Sequence, residues 1–352
     1  MIQHAIQKAL GGAPLTSEEI EESVKEIVEG RATQAQMGGF LVALVGKGET
    51  PEEIASFASV LRGYSVRIAP QVSGRLVDTC GTGGDRAKTF NISTVAALVV
   101  AGAGVPVAKH GNRSVTGKCG SADVLERLGF NIDAPPAMVK ESIERSGVGF
   151  MFAPTFHPAM KRVAPLRREL GVRTVFNLMG PLINPAGASA QLVGVYSPEM
   201  VAKVAAALKI LDCEEAMIVH AQEGMDEISA SGKTLAAWLK GGEIQTIELS
   251  PADFGVEAQR SQLREVSGVE EAAGLVLSIL EGDGRGAPLT DVVLLNAAAA
   301  LVVAGRADDF AGGVELARES LASGAALTKL RTLVEGSGGD VSRVEAYATA
   351  RR

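Results

Sequence analysis

The residues Asp78-Thr79-Cys80-Gly81-Thr82-Gly83-Gly84-Asp85 end a short β-rich run. They lead through Lys88-Thr89-Phe90-Asn91-Ile92-Ser93-Thr94 into a helical pattern, and this order of elements indicates the fold class. A strand, a glycine-rich loop and a helix form the repeating unit of α/β sheets, whose ligands lie beyond the carboxyl ends of the strands. The glycines let main-chain N–H groups face an anion, and the helix start adds its positive dipole end. The neutral side-chain donors that follow are Thr89, Asn91, Ser93 and Thr94. This stretch therefore predicts a phosphate site.

The same alternation of strand and helix continues on both sides of this stretch. β-rich runs at residues 76–79, 105–109, 148–152 and 217–220 are each followed by a glycine-containing loop and a helical pattern, which predicts a mostly parallel sheet. Residues 234–239 and 243–249, joined through Lys240-Gly241-Gly242, predict an antiparallel hairpin added to that sheet. Periodic Ala/Leu-rich segments at 291–303, 314–323 and 327–334 predict helices that cover it.

The first 65 or so residues instead predict a small all-helical unit. Thr16/Glu19, Thr33/Gln36 and Thr50/Glu53 each have the spacing of a capping box, and Pro51 suits the first position of the third helix. Three short helices enclose little core, so their apolar faces are expected to pack on the rest of the chain or on another subunit. The fold class is therefore α/β, with a small helical subdomain and a large domain with a mostly parallel central sheet.

Three further loops carry polar groups suited to a ligand. Lys109-His110-Gly111-Asn112-Arg113 leads through Gly117-Lys118-Cys119-Gly120-Ser121 into a helix, combining cations, glycine and a hydroxyl at a strand end. The second of these loops runs from Arg167 to Pro185 and contains Asn177 and Gly180. The third loop, Gly224-Met225-Asp226-Glu227, follows the last parallel run. Adjacent carboxylates beyond a strand suit Mg²⁺, a hard cation that carries phosphates.

Composition limits the classes of function. The chain has 352 residues and a net charge of -7, which argues against binding nucleic acid by general electrostatics but leaves room for a basic pocket. Its three cysteines form no CxxC pair, as expected in a reducing cytosol. The longest apolar stretch, residues 95–108, is too short to span a bilayer, and the N-terminus is unlike a signal peptide. We therefore expect a cytoplasmic protein with no membrane partner.

Together these segments resemble the anthranilate phosphoribosyltransferase family, whose members join anthranilate to phosphoribosyl diphosphate in tryptophan biosynthesis. The strings GTGGD, TFNIST, KHGNR, GSADVLE and RELGVRTVFNLMGPLINP and the later Asp-Glu pair occur in the family's order and approximate spacing. They span residues 78 to 227. Six strings in register make this resemblance specific, although no single one does.

The resemblance implies a role for particular residues. The diphosphate substrate would be bound by Gly81, Gly84, Asp85, Thr89, Asn91, Ser93, Thr94, Lys109 and Ser121. Anthranilate would be bound by His110, Asn112, Arg167 and Gly180. Two Mg²⁺ ions per monomer would be held by Ser93, Asp226 and Glu227. Lys109 would stabilise the leaving group, and no residue is needed as an acid or base, because the aromatic amine is already neutral near pH 7.

The resemblance also implies a division of the chain. Residues 1–72 would form the helical subdomain, completed by about 157–187, and residues 73–156 and 188–352 the α/β domain. The helical subdomain would form a homodimer and hinge against the larger domain. Two residues depart from the family's pattern: Arg86 stands where glycine is usual, and Cys119 where serine is frequent.

Several of these residues also have plainer interpretations. Lone histidines more often pack or hydrogen bond than transfer protons, so His110 is given a contact role only. Cys80 and Cys119 lack the cationic surroundings of a nucleophile, and packing is the better interpretation. Arg113 and Lys118 are either phosphate ligands or solvated charges. Arg168 and Arg173 are expected in salt bridges, although the sequence alone allows either to exchange roles with Arg167.

Two rival functions fit parts of the pattern. A nucleoside phosphorylase of related fold would bind ribose, phosphate and a base, but would lack the RTVFN to GPLINP segment present here. A non-catalytic, transferase-like protein that binds nucleic acid is opposed by the acidic balance and by the Asp226-Glu227 pair.

Overall fold

A computed structural model describes residues 1–83, 90–114, 118–258, 265–282 and 287–350 of the chain. The strands are β1 Val77–Gly81, β2 Val107–Gly111, β3 Val148–Phe152, β4 Ala190–Gly194, β5 Glu215–Ala221, β6 Thr234–Lys240 and β7 Glu243–Leu249. The α-helices are α1 Ile2–Leu10, α2 Ser17–Val28, α3 Gln34–Lys47, α4 Pro51–Gly63, α5 Ile92–Gly102, α6 Ser121–Arg127, α7 Pro136–Ser146, α8 Ala153–Phe156, α9 Ala164–Leu170, α10 Met179–Leu182, α11 Glu199–Ile210, α12 Val269–Glu281, α13 Ala287–Val303, α14 Phe310–Ala322, α15 Ala325–Gly336 and α16 Ser342–Ala350. Short 3-10 helices cover Pro158–Arg162, Val175–Asn177 and Pro251–Phe254.

The seven strands described form one sheet in the order β3-β2-β1-β4-β5-β6-β7. Strands β1 to β5 are parallel, and β6 and β7 add antiparallel to β5 as the predicted hairpin. From β1 the chain builds outward to β3 and then returns to place β4 on the other side of β1. That reversal opens a crevice beyond the carboxyl ends of β1 and β4, which is where α/β sheets bind ligands.

The N-terminal helices begin where the sequence predicts. Thr16, Thr33 and Thr50 each accept a hydrogen bond from the main-chain N–H three residues later, completing the predicted capping boxes. A further helix, α1, precedes them and was not predicted, because no capping residue marks its start: Met1 occupies the N-cap.

Two large apolar cores cover most of the two faces of the sheet, and a smaller third cluster lies around Ala108 of β2 and Met151 of β3. One lies between the sheet and α5, α12, α13 and α15, as predicted for the C-terminal helices. The other joins the N-terminal helices to α11 and to inward-facing residues of β4 and β5, including Val193 and Ile218. The N-terminal helices therefore pack on the rest of the chain, which was one of the two expectations.

The segment 153–187, which we call the linker segment, packs against the N-terminal helices. Its Phe176 ring meets Phe57 edge to face at 4.9 Å between centroids, and Leu166 and Leu182 are buried in the same core. The division of the chain drawn from the sequence, with boundaries at 72/73, 156/157 and 187/188, stays a prediction.

The structure confirms the predicted fold class, a small helical unit with a mostly parallel α/β domain. The sequence missed the central strand β4. Four of its five residues, Ala190, Leu192, Val193 and Gly194, suit a fully buried strand, but Gln191 interrupts the apolar run and the strand is short. Among the described helices, none is long and apolar enough to cross a bilayer.

Candidate functional site

A cavity of about 360 Å³ opens beyond the carboxyl ends of β1, β2 and β5. One side, the sheet-end wall, is formed by Gly81, Ser93, Lys109 and Asp226 with their loops. The other side, the linker wall, is formed by Arg167, Phe176, Asn177 and Gly180. All four loops that the sequence singled out reach this cavity.

Two paired glycines make the sheet-end wall possible. Gly81 and Gly194 end β1 and β4 and lie opposite each other in the ladder. A Cβ atom at Gly194 would collide with the main chain of Asp226, and one at Gly81 with its carboxylate. The Asp226 loop therefore folds over the strand ends only because both positions lack a side chain. The main-chain N–H of Gly83 then donates to Asp226 Oδ2 at 2.8 Å.

Lys109 is a buried cation at the centre of this wall. Its side chain is 5% exposed, and Nζ donates to the carbonyl of Thr79 at 2.7 Å and to Ser93 Oγ at 3.4 Å. Ser93 lies in the first turn of α5, where the helix dipole favours anions. An ammonium group and a helix N-terminus thus converge on one point of the cavity, which suits a phosphate group.

The loop after β2 closes against the start of α6. Ser121 Oγ donates to the Asn112 carbonyl at 3.3 Å, and Asn91 Nδ2 reaches the Cys119 carbonyl at 3.5 Å, linking this loop to the start of α5. Arg113 is paired with Asp123 at 2.9 Å and Glu126 at 2.6 Å. Of the two interpretations left open for Arg113, the structure favours the surface charge held by carboxylates.

Arg167 is the cation of the linker wall. It lies in the last turn of α9, with its guanidinium carbon 5.8 Å from the centroid of Phe176. In the described part of the chain no carboxylate comes within 4.0 Å of the guanidinium, and burial lowers its pKa. Arg168 is exposed and Arg173 stacks on Tyr196 at 4.6 Å, and neither lines the cavity. A half-buried guanidinium of this kind suits a ligand carboxylate.

His110 connects the two walls. Its main-chain N–H donates to Asp78 Oδ1 at 3.2 Å, and its Nδ1 donates to the Gly180 carbonyl at 2.9 Å. His157 lies beside it, with ring centroids 5.0 Å apart. Burial lowers the pKa of His110 to about 4 and that of His157 to about 3. Both rings are therefore neutral near pH 7, in agreement with a contact role rather than an acid role.

Asp226 and Glu227 are the carboxylates of the cavity. Asp226 is 8% exposed, and burial raises its pKa although the Gly83 N–H opposes the shift. Within the described residues there is no group of three or more His, Cys, Asp or Glu side chains that could hold a metal ion. A buried carboxylate with a second one adjacent in sequence fits a cation whose remaining ligands come from a phosphorylated substrate and water, as is usual for Mg²⁺.

The structure brings most of the predicted site residues to one cavity. Those that line it are Gly81, Asn91, Ser93, Thr94, Lys109, His110, Asn112, Ser121, Arg167, Gly180, Asp226 and Glu227. Gly84, Asp85 and Thr89, like the departure at Arg86, lie outside the described residues. The individual roles given to these residues stay predictions.

Sequence reasoning missed Gly194 and Phe176. Gly194 leaves room for Asp226, and it was missed because β4 was missed. Phe176 lines the linker wall beside Asn177, which the sequence had singled out in the same loop. An apolar ring within that loop carries no local signal that it faces a ligand.

Known proteins match this architecture domain by domain. The model of the glycosyl transferase family a/b domain matches residues 73–327, and that of its helical bundle domain matches residues 3–65. The fold and the cavity thus define a glycosyltransferase with a helical bundle domain and an α/β domain.

Relatives identify the family within that class. Anthranilate phosphoribosyltransferase of Methanocorpusculum labreanum is 48% identical over 341 residues, 96% of this chain and 99% of that protein. The crystal structure of the Thermus thermophilus enzyme superposes with a TM-score of 0.88 at 43% identity, covering 95% of this chain and 99% of that one. The Saccharomyces cerevisiae enzyme in complex with PRPP and Mg gives 0.86 at 28%, covering 96% and 98%. The chain belongs to the anthranilate phosphoribosyltransferase family, which confirms the resemblance.

Proposed function

We propose that this protein transfers the phosphoribosyl group of 5-phosphoribosyl 1-diphosphate to the amino group of anthranilate, releasing diphosphate, in tryptophan biosynthesis. One observation carries the assignment of substrates to the two walls. Buried Lys109 and Asp226 face the cavity from the sheet-end wall, and the Arg167 guanidinium faces it from the linker wall. Lys109 and Asp226 suit a metal-bound diphosphate, and the Arg167 guanidinium suits the carboxylate of an aromatic acid.

In this reaction the anthranilate nitrogen forms a bond to the anomeric carbon while the bond from that carbon to the diphosphate oxygen breaks. Positive charge develops on the ribose and negative charge on the leaving group. After the new bond has formed, the nitrogen gives up a proton to the released diphosphate or to solvent. Because its lone pair is free near pH 7, no general base is required, and positioning supplies much of the acceleration.

The chain's own groups on the sheet-end wall oppose the developing negative charge. Lys109 Nζ is already oriented by Thr79 and Ser93, so little reorganisation is needed when the leaving group takes up charge. Asn91, Thr94 and Ser121 add neutral donors, and the first turn of α5 adds its dipole.

Asp226 and Glu227, with Ser93, would hold Mg²⁺. The fit rests on the burial and raised pKa of Asp226, because an adjacent divalent cation favours the ionised carboxylate that burial disfavours. When bound, Mg²⁺ supplies positive charge against the diphosphate oxygens. The number of ions, two per monomer, stays a prediction from the family resemblance.

The linker wall orients the acceptor. Arg167 would bind the anthranilate carboxylate, and Phe176 and the neutral His110 ring would contact the aromatic ring. Asn112 and Gly180 complete this side of the cavity. An acceptor held in this way presents its amine toward the sheet-end wall, where the anomeric carbon would lie.

Two further expectations belong to this proposal. A homodimer through the helical unit is supported by apolar side chains exposed on α1 and α3, namely Leu10 at 73%, Val42 at 48% and Val45 at 40%. Light scattering on the purified protein tests it, and a monomer at micromolar concentration would contradict it. A cytoplasmic location stays a prediction from the reduced cysteines and the composition.

The loss of anthranilate fluorescence on addition of phosphoribosyl diphosphate tests the proposed reaction. We expect turnover with Mg²⁺, none after treatment with a chelator, and recovery when the metal is returned. Mass spectrometry should find the phosphoribosyl adduct. Phosphorolysis of nucleosides with inorganic phosphate serves as the control reaction, and its occurrence without consumption of anthranilate would overturn the proposal.

A further inference from the structure

A buried chain of hydrogen bonds joins the linker segment to β1 and β2 behind the cavity. Asn184 Nδ2 donates to Asp78 Oδ2 at 2.7 Å and to the Ala108 carbonyl at 2.9 Å. The other carboxylate oxygen of Asp78 accepts from the main-chain N–H of His110. Asp78 is fully buried and Asn184 is 5% exposed, and neither lines the cavity.

The linker segment is fixed at several successive points beside this chain. The carbonyls of Gly180, Pro181 and Leu182 accept hydrogen bonds from His110 Nδ1 at 2.9 Å, Gln191 Nε2 at 2.8 Å and Arg62 Nε at 2.7 Å. Three consecutive carbonyls held by three different side chains leave this stretch little freedom. Such ties are needed here because α10 is only four residues long and supplies few internal hydrogen bonds.

We propose that Asp78 and Asn184 are positioning residues for the acceptor: the Asn184–Asp78–His110 chain fixes where His110 and Gly180 stand, and so governs binding of the aromatic acid more than binding of the diphosphate substrate. This inference rests on the proposed function. Its physical basis is asymmetry. Asn184 donates to Asp78, Asp78 accepts from the His110 N–H, and the His110 ring holds the Gly180 carbonyl. The Lys109 ammonium instead donates to Thr79 and Ser93 and interacts with Asp78 through charge alone. Asn184→Ala leaves that charge in place.

Asp78→Asn and Asn184→Ala test the inference in steady-state kinetics with each substrate varied. In Asp78→Asn the new side-chain NH2 group must face either Asn184 Nδ2 or the His110 N–H, so two donors oppose each other. Asn184→Ala leaves Asp78 Oδ2 without its donor. We expect KM for anthranilate to rise about tenfold in each variant, the equivalent of one buried hydrogen bond, with KM for phosphoribosyl diphosphate within about twofold of wild type.

Glu215→Gln is the matched control. Glu215 is also a buried sheet carboxylate, and it accepts hydrogen bonds from Arg75 Nη1 at 2.6 Å and from Trp238 Nε1 at 2.9 Å. It begins β5, which is separated from β1 by β4, and it does not line the cavity. This variant should lose thermal stability while both KM values stay at the wild-type level. Equal changes in both KM values for Asp78→Asn and Asn184→Ala, or no change in either, would overturn the inference.

The double variant Asp78→Asn/Asn184→Asp provides a rescue that a merely structural role would not predict. It restores the hydrogen bond between residues 78 and 184 with its direction reversed, but it leaves the Ala108 carbonyl without its donor. KM for anthranilate should therefore return part of the way to wild type relative to Asp78→Asn alone. If Asp78→Asn does not fold, Asn184→Ala decides the question by the same split of KM values. If the wild type is active and the variants change the two KM values equally or not at all, this inference alone is refuted. If the wild type is inactive, the proposed function is refuted and this inference with it.

Discussion

The two walls of the cavity are built by different physical means. The sheet-end wall is made of strand ends and the loops that follow them, so its shape is set by the ladder and by glycines that leave room for Asp226. The linker wall is made of short helices whose ends are tied by buried side chains such as His110 and Gln191. One wall therefore depends on backbone geometry, and the other on particular side-chain hydrogen bonds.

Because of this difference, we expect substitutions in the two walls to affect different properties of the protein. Substitutions on the sheet-end wall should affect the chemical step or folding itself, because its charges face the leaving group and its backbone is close-packed. Substitutions on the linker wall should chiefly affect the affinity for the acceptor.

The largest effect is expected for Lys109→Met, which removes the buried charge of the sheet-end wall. We expect kcat/KM to fall by about 10²- to 10³-fold, as when one preorganised donor to a developing charge is lost. Lys209→Met, at the exposed end of α11, is the control and should behave as wild type. Circular dichroism checks that the variant folds. A fall of less than about tenfold would mean that Lys109 does not face the leaving group.

Gly194→Ala should have the next largest effect, on stability. The new Cβ would collide with the main chain of Asp226, which is held against the strand ends, and overpacking of this kind costs about 3 kcal/mol. Gly180→Ala is the matched change on the linker wall. No atom lies within 4 Å of its added Cβ, so we expect a change of less than about 1 kcal/mol. Urea unfolding measures the free energy of unfolding of both variants, and an equal loss in the two would contradict the difference between the walls.

Arg167→Ala should come third and act on one substrate. Loss of a charge-assisted pair to the anthranilate carboxylate should raise KM for anthranilate about 10- to 100-fold and leave KM for phosphoribosyl diphosphate nearly unchanged. Arg168→Ala removes the neighbouring exposed guanidinium and should change neither value. If Arg168→Ala instead raised KM for anthranilate, the two arginines would have to exchange roles, an alternative that the sequence alone left open.

The same contrast explains which parts of the site were predictable. Strand-end loops can be recognised in a sequence because glycine, hydroxyl and charged residues must cluster where a strand meets a helix, and Gly81, Ser93 and Lys109 were found in this way. Gly194 was not found, because the need for a glycine there comes from a loop 32 residues later in the chain. Buried ties such as Asn184 to Asp78, 106 residues apart, leave no local pattern.

Helix boundaries followed the same logic. The capping boxes at Thr16, Thr33 and Thr50 are local, since each helix start depends on a side chain three residues away, and all three were confirmed. Helix α1 has no such cap, and its burial against α3 depends on distant residues. Sequence reasoning therefore succeeded where the cause of a structure was local.

The smallest effect concerns acid, to which the buried histidines and the buried aspartates around the cavity should respond in opposite directions. Burial lowers the pKa of His110 and His157 to about 4 and about 3, so both are neutral when folded but charged when unfolded between those values and 6.5. Their contribution to stability is present above pH 6.5 and is lost as the pH falls. Asp78, with its pKa raised by burial to about 6, gains stability as the pH falls from 6 to 3.8, and Asp226 shifts in the same direction.

His157→Gln isolates the contribution of one histidine. Urea unfolding at pH 7 and pH 5 should show that wild type loses about 1 to 2 kcal/mol more than the variant over this interval, because only wild type must charge that ring on unfolding in acid. Between pH 8 and pH 9, where His110 and His157 are neutral in both the folded and the unfolded state, the two proteins should change in parallel. Identical losses at pH 5 would mean that His157 is as accessible to protons in the folded protein as in the unfolded chain, and the linker wall would then be open to water at that point.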